Sequence, residues 1–169
     1  RVPALEIDGE AVFETGAITE VLCERFSPDG LGRSAGHPER VQWLIWVHFA
    51  ETITQHSAAL TQQHVALRED HMRSPIVMKL EAARIGKCYA ALEARLTGRD
   101  YLLDGGFSAA DVSVGQAVYL ARFFAHLDAF PAVAAWYSRI TARAGFKASL
   151  PGKDTLFEGT FFAPWELPA

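Results

Sequence analysis

The 169-residue sequence is poor in cysteine, with Cys23 and Cys88 the only two. They show neither CxxC spacing nor the density of a disulfide scaffold, so a reduced, cytoplasmic setting is expected. Long apolar runs are missing as well. Gln116 and Arg122 interrupt the most apolar stretch, Val112 to Ala125, which falls short of the ~20 residues a bilayer requires. No membrane span is expected. There is no block of Lys and Arg either: 16 basic residues face 20 acidic ones, for a net charge of -4. Without that attraction to phosphates, nucleic acid is not an expected partner. The sequence has no initiator Met and no signal-peptide pattern, because Arg1 runs directly into Val-Pro-Ala-Leu. The chain is therefore expected to begin within a folded unit. Half of its residues are apolar, enough to build a core and to argue against disorder.

The first residues read as a β-hairpin. Val2 to Ile7 and Glu10 to Phe13 flank Asp8-Gly9, a pair suited to the positive φ angles of a type I′ turn. A hairpin alone is marginally stable, so partner strands ahead of it are expected. A helix follows with Thr15 as its N-cap, running through Ile18, Val21 and Leu22 to Phe26. Residues 27–36, rich in Pro and Gly, form a linker. Beyond it the pattern is helical. One helix is expected from near His37, with Pro38 in its first turn and a stripe of Trp46, Phe49, Ile53, His56 and Leu60. A second opens at Ser74-Pro75 with the stripe Met78, Ala82, Ile85, Tyr89, Leu92, Leu96 and ends at Thr97-Gly98. Ser108 and Asp111 are spaced for a capping box, with Phe107 and Val112 as a hydrophobic staple. The helix they open is apolar on nearly all sides through Phe124, which predicts the centre of a bundle. Gly115 inside it requires a close neighbour. A last helix from Pro131 buries Val133, Trp136 or Tyr137, and Ile140. From Pro151 the sequence reads as an irregular tail.

Val2-Pro3 before a hairpin, Glu14-Thr15 at the helix start and Phe107-Ser108-Ala109-Ala110-Asp111 in the helical region together resemble a glutathione transferase. The resemblance spans most of the chain. It implies an α+β two-domain architecture: part of a thioredoxin-like domain in residues 1–26, the linker 27–36, an all-α bundle in 37–150 and the tail 151–169. Val2-Pro3 would open the family's third strand with a cis proline. The first half of the thioredoxin-like domain, a βαβ unit of roughly 30 residues or more, is then expected ahead of Arg1.

The resemblance also implies roles. The Val2 backbone would pair with the cysteinyl backbone of glutathione next to Pro3, in the manner of an added strand. Thr15 would offer helix N-terminal amides and a hydroxyl to the γ-glutamyl carboxylate, and Glu14 would face the ligand's amino group. The family usually has Ser where Thr15 stands. Arg1 is available for the glycine end. The family's thiol-activating Ser, Tyr or Cys lies at the start of its first helix, so the catalytic residue is unknown here and expected upstream of Arg1. Trp46, Phe49, Tyr119 and Phe123 lie on the two helices that wall the family's electrophile pocket. The implied function is conjugation of the glutathione thiol to a small hydrophobic electrophile, a detoxification chemistry, in a cytoplasmic homodimer. Two alternatives stand beside it: a non-enzymatic scaffold of the same architecture, and a glutathione-dependent disulfide reductase if the missing residue is Cys.

Other features favour packing. Ser108 and Asp111 are explained by capping, and Cys23 and Cys88 read as small core residues. His48 with Glu51, and His56 with His64, lack a third ligand at metal-site spacing, so no metal is expected. Phe157, Phe161, Phe162 and Trp165 are expected to seal the domain junction.

Overall fold

A computed structural model describes residues 2–152. Arg1 and the tail aromatics Phe157, Phe161, Phe162 and Trp165 lie outside the described residues. Strands β1 (Ala4–Ile7) and β2 (Glu10–Phe13) pair antiparallel, with Ala4 opposite Phe13 and Ile7 opposite Glu10. Asp8 and Gly9 join them at φ 53° and 81°, the positive angles a type I′ turn demands. Helix α1 (Thr15–Phe26) folds back along the hairpin, and Arg25 near its end forms an ion pair with Asp8 in the turn.

Two starts differ from expectation. Thr15 is the first helical residue, and the cap position belongs to Glu14, at φ 73° and ψ 121°. Helix α2 (Arg40–Thr61) begins three residues after His37. There the His37 ring accepts a hydrogen bond from the Glu39 amide at 3.0 Å, and the His37 carbonyl takes the Arg40 amide at 2.9 Å. This side-chain turn holds Pro38 ahead of the helix. After Thr61 the backbone widens into a π turn over 62–66, followed by a 3₁₀ turn over 70–72.

Helix α3 (Pro75–Leu96) buries its whole expected stripe, from Met78 to Leu96. Ser74 caps it by accepting the Val77 amide, and Gly98 follows its end at φ 75°. Helix α4 (Ala109–Ala121) packs chiefly against α2. Asp111 Oδ2 accepts the Ser108 amide at 2.9 Å and Ser108 Oγ accepts the Ala110 amide at 3.3 Å, closing the capping box. Asp111 Oδ1 also takes the Leu102 amide at 3.0 Å and the Trp136 indole N–H at 2.9 Å. One carboxylate with no exposed surface thus ties three segments together. Helix α4 stops at Ala121, three residues short of Phe124, and it is not enclosed on all sides: Val112, Gln116 and Leu120 form an exposed line at i, i+4, i+8. Val112 therefore does not close a buried staple. Phe107 instead carries the Arg143 guanidinium 3.6 Å from its ring centre. Helix α5 (Pro131–Thr141) buries Val133, Trp136 and Ile140. A Cβ on Gly115 would stand 2.5 Å from Ile140 Cδ1, which is the close neighbour that a glycine inside α4 implies. A short helix α6 (Ala144–Ser149) follows, where the sequence pattern gave no separate element.

Candidate functional site

The hairpin register sets the geometry. With Ala4 paired to Phe13, the chain entering β1 and the chain leaving β2 meet at one end, so Val2-Pro3 comes level with Glu14-Thr15. The Val2-Pro3 peptide bond is cis. Val2 is 90% exposed, and Pro3, Glu14 and Thr15 are exposed as well. All four family-implied residues therefore open onto solvent together at the start of α1.

That start leaves its first backbone amides without a helical partner. The first hydrogen bond of α1 runs from the Ile18 amide to the Glu14 carbonyl at 2.9 Å, which leaves the amides of Thr15, Gly16 and Ala17 ahead of it. No side chain caps them, and no acidic residue stands in the first turn to offset the dipole. Three donors and a partial positive charge thus face outward beside the Thr15 hydroxyl.

The four aromatic candidates form two groups. On α2, Trp46 and Phe49 meet edge to face at 5.2 Å, and Trp46 is buried in the core. On α4, Tyr119 meets Phe123 at 5.8 Å and reaches Phe146 at 6.2 Å. Arg122 lies 4.8 Å and 4.7 Å from the Tyr119 and Phe123 ring centres. A cavity of about 570 Å³ opens between α4 and α6, lined by Leu31, Phe107, Val112, Ile140 and Phe146 among others, and none of the four candidates lines it.

The histidine pairs do not converge. His48 Nε2 meets Glu20 at 2.9 Å instead of turning to Glu51. His56 is buried and meets Glu81 of α3 at 2.6 Å, while His64 stacks on Phe124 at 6.0 Å and is held below the usual histidine range by burial. Among the described residues no group of three His, Cys, Asp or Glu side chains is placed to hold a metal ion. Burial pushes the Cys23 and Cys88 thiols up, so both stay protonated and unreactive. The sequence reading missed the contact of His48 with α1; its one local signal is Gly16, a glycine in the first turn of a helix.

Comparison with known proteins bears on this arrangement. Residues 57–139 match the family described as glutathione S-transferase, C-terminal domain. Protein LigF of Sphingobium sp. strain SYK-6 is 27% identical over 185 residues, covering 87% of this chain and 72% of that protein. A glutathione S-transferase of Methylobacillus flagellatus, solved with glutathione bound, superposes with a TM-score of 0.77 at 21% identity, over 90% of this chain and 76% of its own. A sphingomonad glutathione S-transferase complexed with glutathione gives 0.69 at 25% identity, over 88% and 71%. No helix among the described residues is long and apolar enough to cross a membrane. With its hairpin, its helical bundle and the match over residues 57–139, the chain carries a glutathione S-transferase C-terminal domain and has the fold of the glutathione S-transferases.

Proposed function

We propose that the protein binds glutathione at the meeting of Val2-Pro3 and Glu14-Thr15 and conjugates its thiol to a small hydrophobic electrophile. The observation that carries this reading is the uncapped first turn of α1, opening beside the exposed Val2-Pro3 at one end of the hairpin. A γ-glutamyl carboxylate there accepts from the amides of Thr15 and Gly16 and from the Thr15 hydroxyl. The Glu14 carboxylate supplies the counter-charge for the adjacent ammonium. The Val2 backbone extends the ligand along β1, a strand-like pairing. Solved neighbours of the same fold, the Methylobacillus and sphingomonad enzymes, hold glutathione.

In the reaction, the glutathione sulfur forms a bond to the electrophilic carbon. The leaving group departs with the electron pair of the bond that breaks, and the thiol proton passes to solvent. The group that stabilises the thiolate is the Ser, Tyr or Cys that the family carries on its first helix. Tyr119 on α4, Phe123 in the turn just after it and Phe49 on α2 are the aromatic side chains proposed to receive the electrophile, with Trp46 supporting Phe49 from the core. The same reading makes the protein a cytoplasmic homodimer with residues 1–26 as its thioredoxin-like part.

The test is retention of the full-length protein on immobilised glutathione, together with conjugation of a dinitrophenyl halide. The Glu14→Ala, Thr15→Ala double variant is expected to lose retention while keeping its helical circular-dichroism signal. Unchanged retention contradicts the assignment.

A further inference from the structure

On α1, Gly16 and Glu20 stand one turn apart on the face turned to α2, and His48 of α2 meets both. The imidazole occupies the space that a side chain at position 16 would need: a Cβ there would lie 2.9 Å from His48 Cε1 and 3.0 Å from Nδ1. On its other side the ring is fixed by Glu20, whose Oε1 is 2.9 Å from Nε2. The second oxygen of Glu20 takes Arg40 Nη2 at 3.3 Å, and Arg40 Nη1 donates to the Arg33 carbonyl at 2.9 Å. A polar chain thus runs from the linker through α2 to the first turn of α1. The ion pair that ties α1 to the hairpin, Arg25 with Asp8, lies at the opposite end of the helix. At the open end no side chain caps the helix, and the residue ahead of it holds φ 73°.

We infer that His48 is a positioning residue for glutathione binding: packed on Gly16 and oriented by Glu20, it sets where the amides of Thr15 and Gly16 point. The inference rests on reading Glu14-Thr15 as the glutathione site, and adds to it a residue of the helical region. Gly16 is required because any larger residue would displace the ring. Glu20 is required because it fixes the imidazole nitrogen on the far side.

The test uses the full-length protein, glutathione calorimetry, steady-state kinetics and amide hydrogen exchange. His48→Ala is expected to raise the glutathione Kd and KM about fivefold, the worth of one net hydrogen bond, while kcat at saturating glutathione stays close to wild type. His48→Gln, which keeps a donor for Glu20, recovers most of the affinity. Gly16→Ala weakens binding in the wild-type background and has little further effect in His48→Ala, because the clash partner is gone. Without ligand, the Ile18 amide, the first that α1 hydrogen-bonds, exchanges faster in His48→Ala. Unchanged Kd in His48→Ala, additive losses in the double variant, or a drop in kcat that follows a general loss of stability overturns the inference. If wild type itself fails to bind glutathione, the functional reading fails, and the exchange of the Ile18 amide then decides the positioning role alone: an unchanged rate overturns it.

Discussion

Glu14 is a non-glycine residue held at φ 73° and ψ 121°, where the Cβ is crowded by its own backbone. Such a residue costs on the order of 1–3 kcal/mol and persists where the surroundings impose it. Replacing it by glycine removes the crowding. Glu14→Gly is therefore expected to raise unfolding stability by about 1 kcal/mol in urea titration while weakening glutathione binding, which separates a strained functional residue from a merely tolerated one. Buried titratable groups elsewhere carry no such role. Burial, with Tyr137 and Cys88 nearby, pushes the Tyr89 hydroxyl far above the ordinary tyrosine value, and both cysteines are raised as well. None of these three supplies a thiolate or phenolate near neutral pH.

At the scale of elements, several ends are finished by residues far along the chain. Helix α5 begins after Phe130, which cannot cap it, and Glu93 of α3 accepts the Ala132 and Val133 amides, each at 3.0 Å. A carboxylate at that end also complements the helix dipole. Glu93→Ala is expected to cost about 1 kcal/mol in thermal or urea unfolding, with Glu93→Gln recovering part of it; an unaltered midpoint in both variants contradicts the cap. Turns and caps made by residues close in sequence were legible. Asp8-Gly9 named its turn, Ser74-Pro75 and Ser108 to Asp111 named their caps, and the three-four spacing of α3 named its buried face. Features with distant partners were not. His56 and Glu81 lie 25 residues apart, and Glu93 lies 39 before Ala132, so neither pairing has a spacing signature. The start of α2 was misread because the His37 ring competes with the helix for the Glu39 amide. The exposed line of α4 was misread because apolar composition does not say which sides are covered. The Val2-Pro3 and Glu14-Thr15 pairs could be brought to one end from the hairpin register alone, whereas the role of His48 required the packing of α1 on α2.

Across the whole molecule, the linker is fastened to the bundle by a clamp at its centre. Arg33 is 3% exposed and donates to the Gly30 and Gly32 carbonyls and to Glu39, while Glu39 accepts the Gly105 amide from the turn before α4. Burial pushes the Glu39 carboxyl up, but the Gly105 amide and the Arg33 hydrogen bond and charge outweigh it and hold the group below its ordinary value of 4.5. A depressed carboxyl binds its proton less readily when folded, so the clamp's contribution is present above the unfolded value and is lost as pH falls through the folded one. Stability should therefore decline on acidification below 4.5, and Glu39→Gln should flatten that slope in urea titrations run at successive pH values. An identical slope in the variant would remove Glu39 as the source.

The proposed glutathione site lies where the hairpin and the start of α1 open together. Its most direct test is a titration of the isotope-labelled full-length protein with glutathione, following backbone amide shifts. Saturable shifts centred on Val2, Thr15, Gly16 and Ala17 are expected, with little change along the exposed line of α4. Shifts centred on Val112, Gln116 and Phe146 instead, or none at all, would contradict this assignment.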